Sequence, residues 1–179
     1  MSRLVIALAT VAVAVSLGAV AGAGASSPPP ASPAVASKPP VNKELIPYPK
    51  KRKREMAAYS KRHYGQNKWR LVNPKVIVIH YAVAGSISAI FNTFRTDQPD
   101  VEFHELPYVC SHYAVSASGA VYKFVPPTIR CRHTVGLNWK AIGVEHVGFS
   151  DQDILGRPAQ LNGSLQFRSE EHTSELQSQ

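Results

Sequence analysis

Residues Lys75–Tyr81 read KVIVIHY, a β-branched run with no polar interruption before His80. β-branching restricts side-chain rotation and suits a pleated surface. A continuous apolar run, without alternation, marks a strand buried on both faces. A second run, AIGVEHVG at Ala141–Gly148, has the same character, with Gly143 and Gly148 flanking the polar pair Glu145-His146. Between the two lie SISAIFNTFRTD (Ser86–Asp97) and YVCSHYAVSASGAVYKFV (Tyr108–Val125). In the first, Ser86 can cap a helix whose Ile87, Ile90, Phe91 and Phe94 recur at helical spacing. The second reads as two strands joined at Ser118-Gly119. PAQLNGSLQF (Pro158–Phe167) opens as a helix, weakened by Asn162-Gly163. Strand, helix, hairpin, strand, helix predicts an α/β fold: a mixed central sheet flanked by helices.

Upstream of this block the composition changes. Residues 1–25 have one early cation, Arg3, then an uncharged apolar run ending in Ala23-Gly24-Ala25. This is the pattern of a cleavable signal peptide. The stretch is also long enough to stay as a membrane anchor, since a span needs about 20 residues, so both outcomes stand. No cysteine ends the apolar run, so a lipid-anchored form is not expected. Residues 26–49 are rich in Pro, Ala and Ser and are expected to form an extended linker. Lys50–Arg54 is a run of cations opening a short helix that should end near Gly65. It reads either as an adhesive for anionic wall polymers or as a solvated helix start. The folded core is expected from about Trp69.

The chain has 20 basic and 12 acidic residues in 179, a formal charge of +8. Leaving out Arg3 and Arg168, and Glu170, Glu171 and Glu175, residues 26–167 carry 18 basic and 9 acidic groups. Such a surface favours anionic partners. Export makes nucleic acid a poor candidate and the cell wall a good one. Cys110 and Cys131 could pair outside the cytoplasm. Two buried thiols or a metal role are the alternatives.

Three polar groups sit on apolar strands: His80, His112 and Glu145. An unpaired buried carboxylate is costly, so Glu145 needs a partner, a shifted pKa or a nearby metal. A strand-end histidine with a strand glutamate suggests zinc-assisted hydrolysis, the metal activating water and the glutamate carrying the proton. His146 adjoins Glu145 on the strand and points to the opposite face.

KVIVIHYAV, SHYAVSASGAVYKFVP and RHTVGLNWKAIGVEHVG, in that order, resemble the zinc-dependent N-acetylmuramoyl-L-alanine amidases, the amidase-2 family related to peptidoglycan recognition proteins. The resemblance runs from Lys75 to about Phe149 and implies a partial domain over 50–167. It implies cleavage of the amide between N-acetylmuramic acid and L-alanine of peptidoglycan. It places His80 as a zinc ligand, Glu145 as the acidic residue acting on zinc-bound water, and His133 as a substrate-contacting residue of the cleft wall. Asn138 is expected to contact the glycan from the adjoining loop. His112 is expected to pack and hydrogen-bond. The place of the recognition proteins' catalytic tyrosine falls on Ser111, so that role does not carry over.

The resemblance also implies two further zinc ligands from a later segment, and no match follows Glu145. His172 lies in EEHTSE, without the expected Gly-His. Residues Arg168–Ser178, RSEEHTSELQS, equal a one-frame translation of a common sequencing-library adapter. Residues 168–179 are therefore expected to be adapter-derived, the fold incomplete at its C-terminus and this chain a poor enzyme. A peptidoglycan-binding module without catalysis is the alternative.

Overall fold

The computed structural model describes residues 40–177. The expected signal segment and the first part of the linker, 1–39, lie outside the described residues. The elements are β1 (Val41–Lys43), α1 (Lys50–Tyr64), β2 (Val76–Tyr81), α2 (Ile87–Arg95), β3 (Tyr113–Val115), β4 (Val121–Lys123), β5 (Ala141–His146), α3 (Asp151–Leu155) and α4 (Pro158–Gln177). One five-stranded sheet has the order β1-β4-β3-β5-β2. Only β3 and β4 pair antiparallel; the other three pairings are parallel. The mixed α/β class expected from the sequence is the fold observed.

The local signals act as their chemistry dictates. The Ser86 hydroxyl accepts from the Ala89 N–H at 3.2 Å and caps α2. The β3–β4 turn passes through Gly119 at φ 86°. α1 ends at Gly65. Ser150 caps the short α3, which the sequence reading does not contain.

Each face of the sheet has its own core. On one, Ile90 and Phe94 of α2 pack with Ala114, Phe124, Val125 and Val147. On the other, Phe167 of α4 packs with Tyr113, Val115, Val121, Ile142 and Val144. Asn162-Gly163 does not break α4. A Cβ on Gly163 would stand 2.1 Å from the Gly119 carbonyl oxygen, so glycine is what lets the helix lie against the hairpin turn. Gln160 Nε2 then donates to the carbonyls of Val115 (3.1 Å) and Val147 (2.9 Å).

Three expectations need correction. The linker does not extend to residue 49: Val41–Lys43 pair with Val121–Lys123 and Ile46 is buried. The core therefore begins well before Trp69, with Met56 and Tyr59 of α1 also buried. A Pro-rich composition hides a strand of three residues. Second, β2 is an edge strand, with Ile79 42% and Tyr81 43% exposed. Its outer side borders a cavity of about 650 Å³ lined by Ile79, Tyr81, Ile154, Leu155 and Leu161. An apolar run signals a strand but does not fix its place in the sheet, and no residue of β2 is fully buried. Third, Lys50–Arg54 is not a uniform cationic surface. Arg52 is fully buried and donates to the carbonyls of Phe94 (2.9 Å), Tyr108 (3.3 Å) and Val109 (3.3 Å). α4 runs on through residues 168–177; extending a formed helix costs little per residue.

Candidate active site

Parallel pairing aligns His80 of β2 with Glu145 of β5, and Ala114 of β3 with the same Glu145. Aligned residues of neighbouring strands share a face, and alternate residues along a strand do too. His80, Ala114, Gly143 and Glu145 therefore look out on one side. His112 joins them, its N–H donating to the Gly143 carbonyl at 3.1 Å. His133 completes the group from the loop before β5. Its ring lies so close over Gly143 that an added Cβ would stand 2.7 Å from it. The missing side chain at Gly143 is the space His133 occupies.

The three histidine rings form a chain. His80 and His133 centroids are 5.4 Å apart, and His112 and His133 5.8 Å, both edge to face. His112 is fully buried. Its Nε2–H donates to the Ile129 carbonyl at 2.8 Å, and its Nδ1 accepts the Gly143 N–H at 3.0 Å. Both nitrogens are used, and burial lowers its pKa to about 4. It is the packing and hydrogen-bonding residue expected. His133 Nε2–H donates to the Ala141 carbonyl at 3.4 Å, which leaves Nδ1 as acceptor. His80 Nε2–H approaches that Nδ1 at 3.2 Å and the Thr134 hydroxyl at 3.3 Å. Burial, then the neighbouring His112 and His80, lowers the His133 pKa to about 3. Burial also lowers that of His80. With Nε2 so engaged, the lone pair His80 has to offer is on Nδ1.

Glu145 is 8% exposed, and among the described residues no side chain ion-pairs or hydrogen-bonds with its carboxylate. Burial pushes its pKa up to about 7. That value suits a group asked to take up and return a proton at neutral pH. His146 faces the other way, as alternation requires. Its Nδ1–H donates to the His80 carbonyl at 3.2 Å, and its Nε2 accepts from the Ser164 hydroxyl of α4 at 2.9 Å.

Asn138 is placed differently from the sequence expectation. It is 1% exposed, and its side chain is taken up by protein groups. Its Oδ1 accepts the N–H groups of His133 (2.9 Å) and Thr134 (2.8 Å), and its Nδ2 donates to the Tyr64 hydroxyl at 3.0 Å. Asn138 thus ties the His133 loop to the end of α1. An Asn in a loop invites a surface reading, while carboxamides also satisfy buried backbone. Beyond His133 a cavity of about 340 Å³ opens between Tyr59, Phe103, Tyr108, Val109 and Val135. Its wall is braced by Arg132, which donates to Asp100 (3.0 Å) and to the carbonyls of Glu105 (2.9 Å) and Pro107 (2.8 Å). Cys110 and Cys131 form a disulfide with Cα atoms 5.3 Å apart, fastening this wall to the segment that leads to His133. Neither Arg132 nor Thr134 is singled out by sequence; both owe their roles to contacts distant along the chain.

Zinc has to be tested against these groups. A catalytic zinc site needs three protein ligands. Among the described residues no three His, Cys, Asp or Glu side chains stand together so as to hold a metal ion. His80 is a single candidate, so the described residues do not complete a zinc site.

The fold and this cleft define an α/β domain with a carboxylate and histidines on one sheet face. The family model described as "Amidase_2: N-acetylmuramoyl-L-alanine amidase" matches residues 70–168, more than half of the chain. The chain belongs to this family. Among solved structures it is similar to the N-acetylmuramoyl-L-alanine amidase LysC from Clostridium intestinale URNW, at 21% identity and TM-score 0.44, over 57% of this chain and 65% of that one. It is also similar to Drosophila peptidoglycan recognition protein SA, at 21% identity and TM-score 0.44, over 61% and 68%. The chain thus spans about two thirds of the length of these structures. No curated protein matches it significantly.

Proposed function

We propose that this chain is part of an exported peptidoglycan amidase, acting on the bond between N-acetylmuramic acid and L-alanine. The observation that carries the reading is the register of His80 with Glu145 under His133, the carboxyl being buried and poised near neutrality. In this reading the muropeptide lies across the His80–Glu145 face. His133 forms its wall, held by Asn138. Glu145 takes a proton from the attacking water and returns it to the departing amine of alanine. His80 is the proposed zinc ligand through Nδ1. No step is assigned to the metal, because the described residues do not complete its shell. Residues 1–25 are read as the export signal, which puts the protein outside the cell or at its wall.

A second reading is recognition of muropeptides without cleavage, since the His133 wall and its Asn138 brace would serve binding as well as hydrolysis. Calorimetry with N-acetylmuramoyl-L-alanyl peptides tests both. The 179-residue chain is expected to bind them, to lose affinity in His133→Leu, and to release no stem peptide. Zinc-dependent release would decide for the enzyme. Failure to bind, or equal binding to glycan without stem peptide, would remove both readings.

A further inference from the structure

On α1, Lys50, Lys53, Arg54, Ala57 and Lys61 recur at spacings of three, four, seven and eleven and so share one face. Lys50 to Lys61 spans about 16 Å at about 1.5 Å per residue. Lys50, Arg54 and Lys61 are exposed, and among the described residues none forms an ion pair. The acid of α1, Glu55, is turned to Lys51 at 3.2 Å. Beside the stripe, Lys53 Nζ stands 4.7 Å and the Arg70 guanidinium 4.4 Å from the Trp69 ring centre. The helix itself is anchored by the buried Arg52. Like charges at this spacing repel, and nothing described on this face offsets them. Lys53 and Arg70, held against Trp69, lose little freedom when a ligand arrives.

We propose that this face, Lys50–Lys53–Arg54–Lys61 extended by Arg70, docks a linear polyphosphodiester of the cell wall. The choice of a wall polymer rests on the peptidoglycan reading above. Phosphate suits the two guanidinium groups, which can donate in pairs. The Trp69 ring is taken up by Lys53 and Arg70 and offers no platform for stacking a nucleobase. Such a face reads backbone phosphates alone, and its length matches a short run of them.

The test is binding of poly(glycerol phosphate) to the full chain at about 50 and about 200 mM salt. Lys50→Gln/Arg54→Gln/Lys61→Gln is compared with a control of equal charge, Lys43→Gln/Lys75→Gln/Lys123→Gln. The stripe variant is expected to bind at least about tenfold more weakly at low salt, with a log–log salt slope shallower by about 2 for three lost cations. The control should stay within about threefold of the parent. A control that falls as far as the stripe variant overturns the proposal, since net charge would then suffice. So does absence of binding, or a preference of about tenfold or more for single-stranded DNA of equal phosphate count. Muropeptide binding, measured on the same samples, should be unchanged in both variants, so the cleft reading and this one fail separately. A stripe variant that loses both ligands equally also overturns it.

Discussion

β5 sets two neighbouring ionisable residues in opposite surroundings. On the α4 side, His146 has both ring nitrogens satisfied, one by a backbone carbonyl and one by Ser164. Around it Phe167 and Gln160 are fully buried. On the cleft side Glu145 is buried without a described partner, and burial alone moves its pKa to about 7. Buried polar groups are ordinarily paired, so the surroundings of His146 are organised for stability and those of the Glu145 carboxyl are not. Substitutions on the two sides should differ in size and, at Glu145, in sign.

The largest loss is expected on the α4 side. Phe167 is 1% exposed and lies 4.5 Å, ring centre to ring centre, from Tyr113. Phe167→Ala should cost about 3–5 kcal/mol in urea unfolding. A cost below about 1 kcal/mol would mean that α4 does not close this face and that the comparison is wrong. Gly163→Ala tests the same contact by overfilling it. Alanine favours a helix over glycine by about 1 kcal/mol. The added Cβ would meet the Gly119 carbonyl oxygen at 2.1 Å, a backbone atom that cannot rotate aside, and this should outweigh that gain, for a net loss of about 2 kcal/mol. A thermal midpoint at or above the parent's would show that the turn yields.

These two residues also mark what was legible in the sequence. The strands at Val76–Tyr81 and Ala141–His146, the hairpin, the Ser86 cap and the start of α4 follow from periodicity and turn chemistry, which are local. His80 and Glu145 stand out as polar groups on apolar strands, which is local too. The purpose of Gly163 is not, because Gly119 is more than forty positions away in the chain. The same holds for Gly143 beneath His133, for buried Arg52 inside a basic run, and for β1 inside a Pro-rich stretch. In each case the partner that decides the residue's role comes from elsewhere in the chain.

Asn138 joins the two kinds of region, since it is a buried, fully used residue that holds up the cleft wall. Removing its side chain strands the N–H groups of His133 and Thr134 and takes one hydrogen-bond partner from the Tyr64 hydroxyl. Asn138→Ala should cost about 1–3 kcal/mol. Asn138→Asp keeps the accepting oxygen and should recover part of the loss. If Asn138→Ala unfolds like the parent while muropeptide affinity falls, the side chain meets the glycan after all, and the observed burial is not what matters in solution.

The smallest expected effect has the opposite sign. In the unfolded chain the Glu145 carboxyl titrates at about 4.3; in the fold it titrates at about 7. The folded value is raised, so the contribution favouring the fold is fully present below the unfolded value. It is lost as pH rises through about 7, where the fold must hold an unpaired carboxylate. Glu145→Gln cannot ionise. The variant should therefore be more stable than the parent at pH 8, by on the order of 1–2 kcal/mol after allowance for residual solvent contact. The difference should shrink as pH falls and vanish near pH 4. Unfolding in urea across that range checks it. A variant less stable than the parent at pH 8 would mean that the carboxylate has a stabilising partner in solution, and the cleft face would then be as well satisfied as the face under α4. The expected gain would instead mark Glu145 as a residue kept against stability, as a group retained for moving a proton should be.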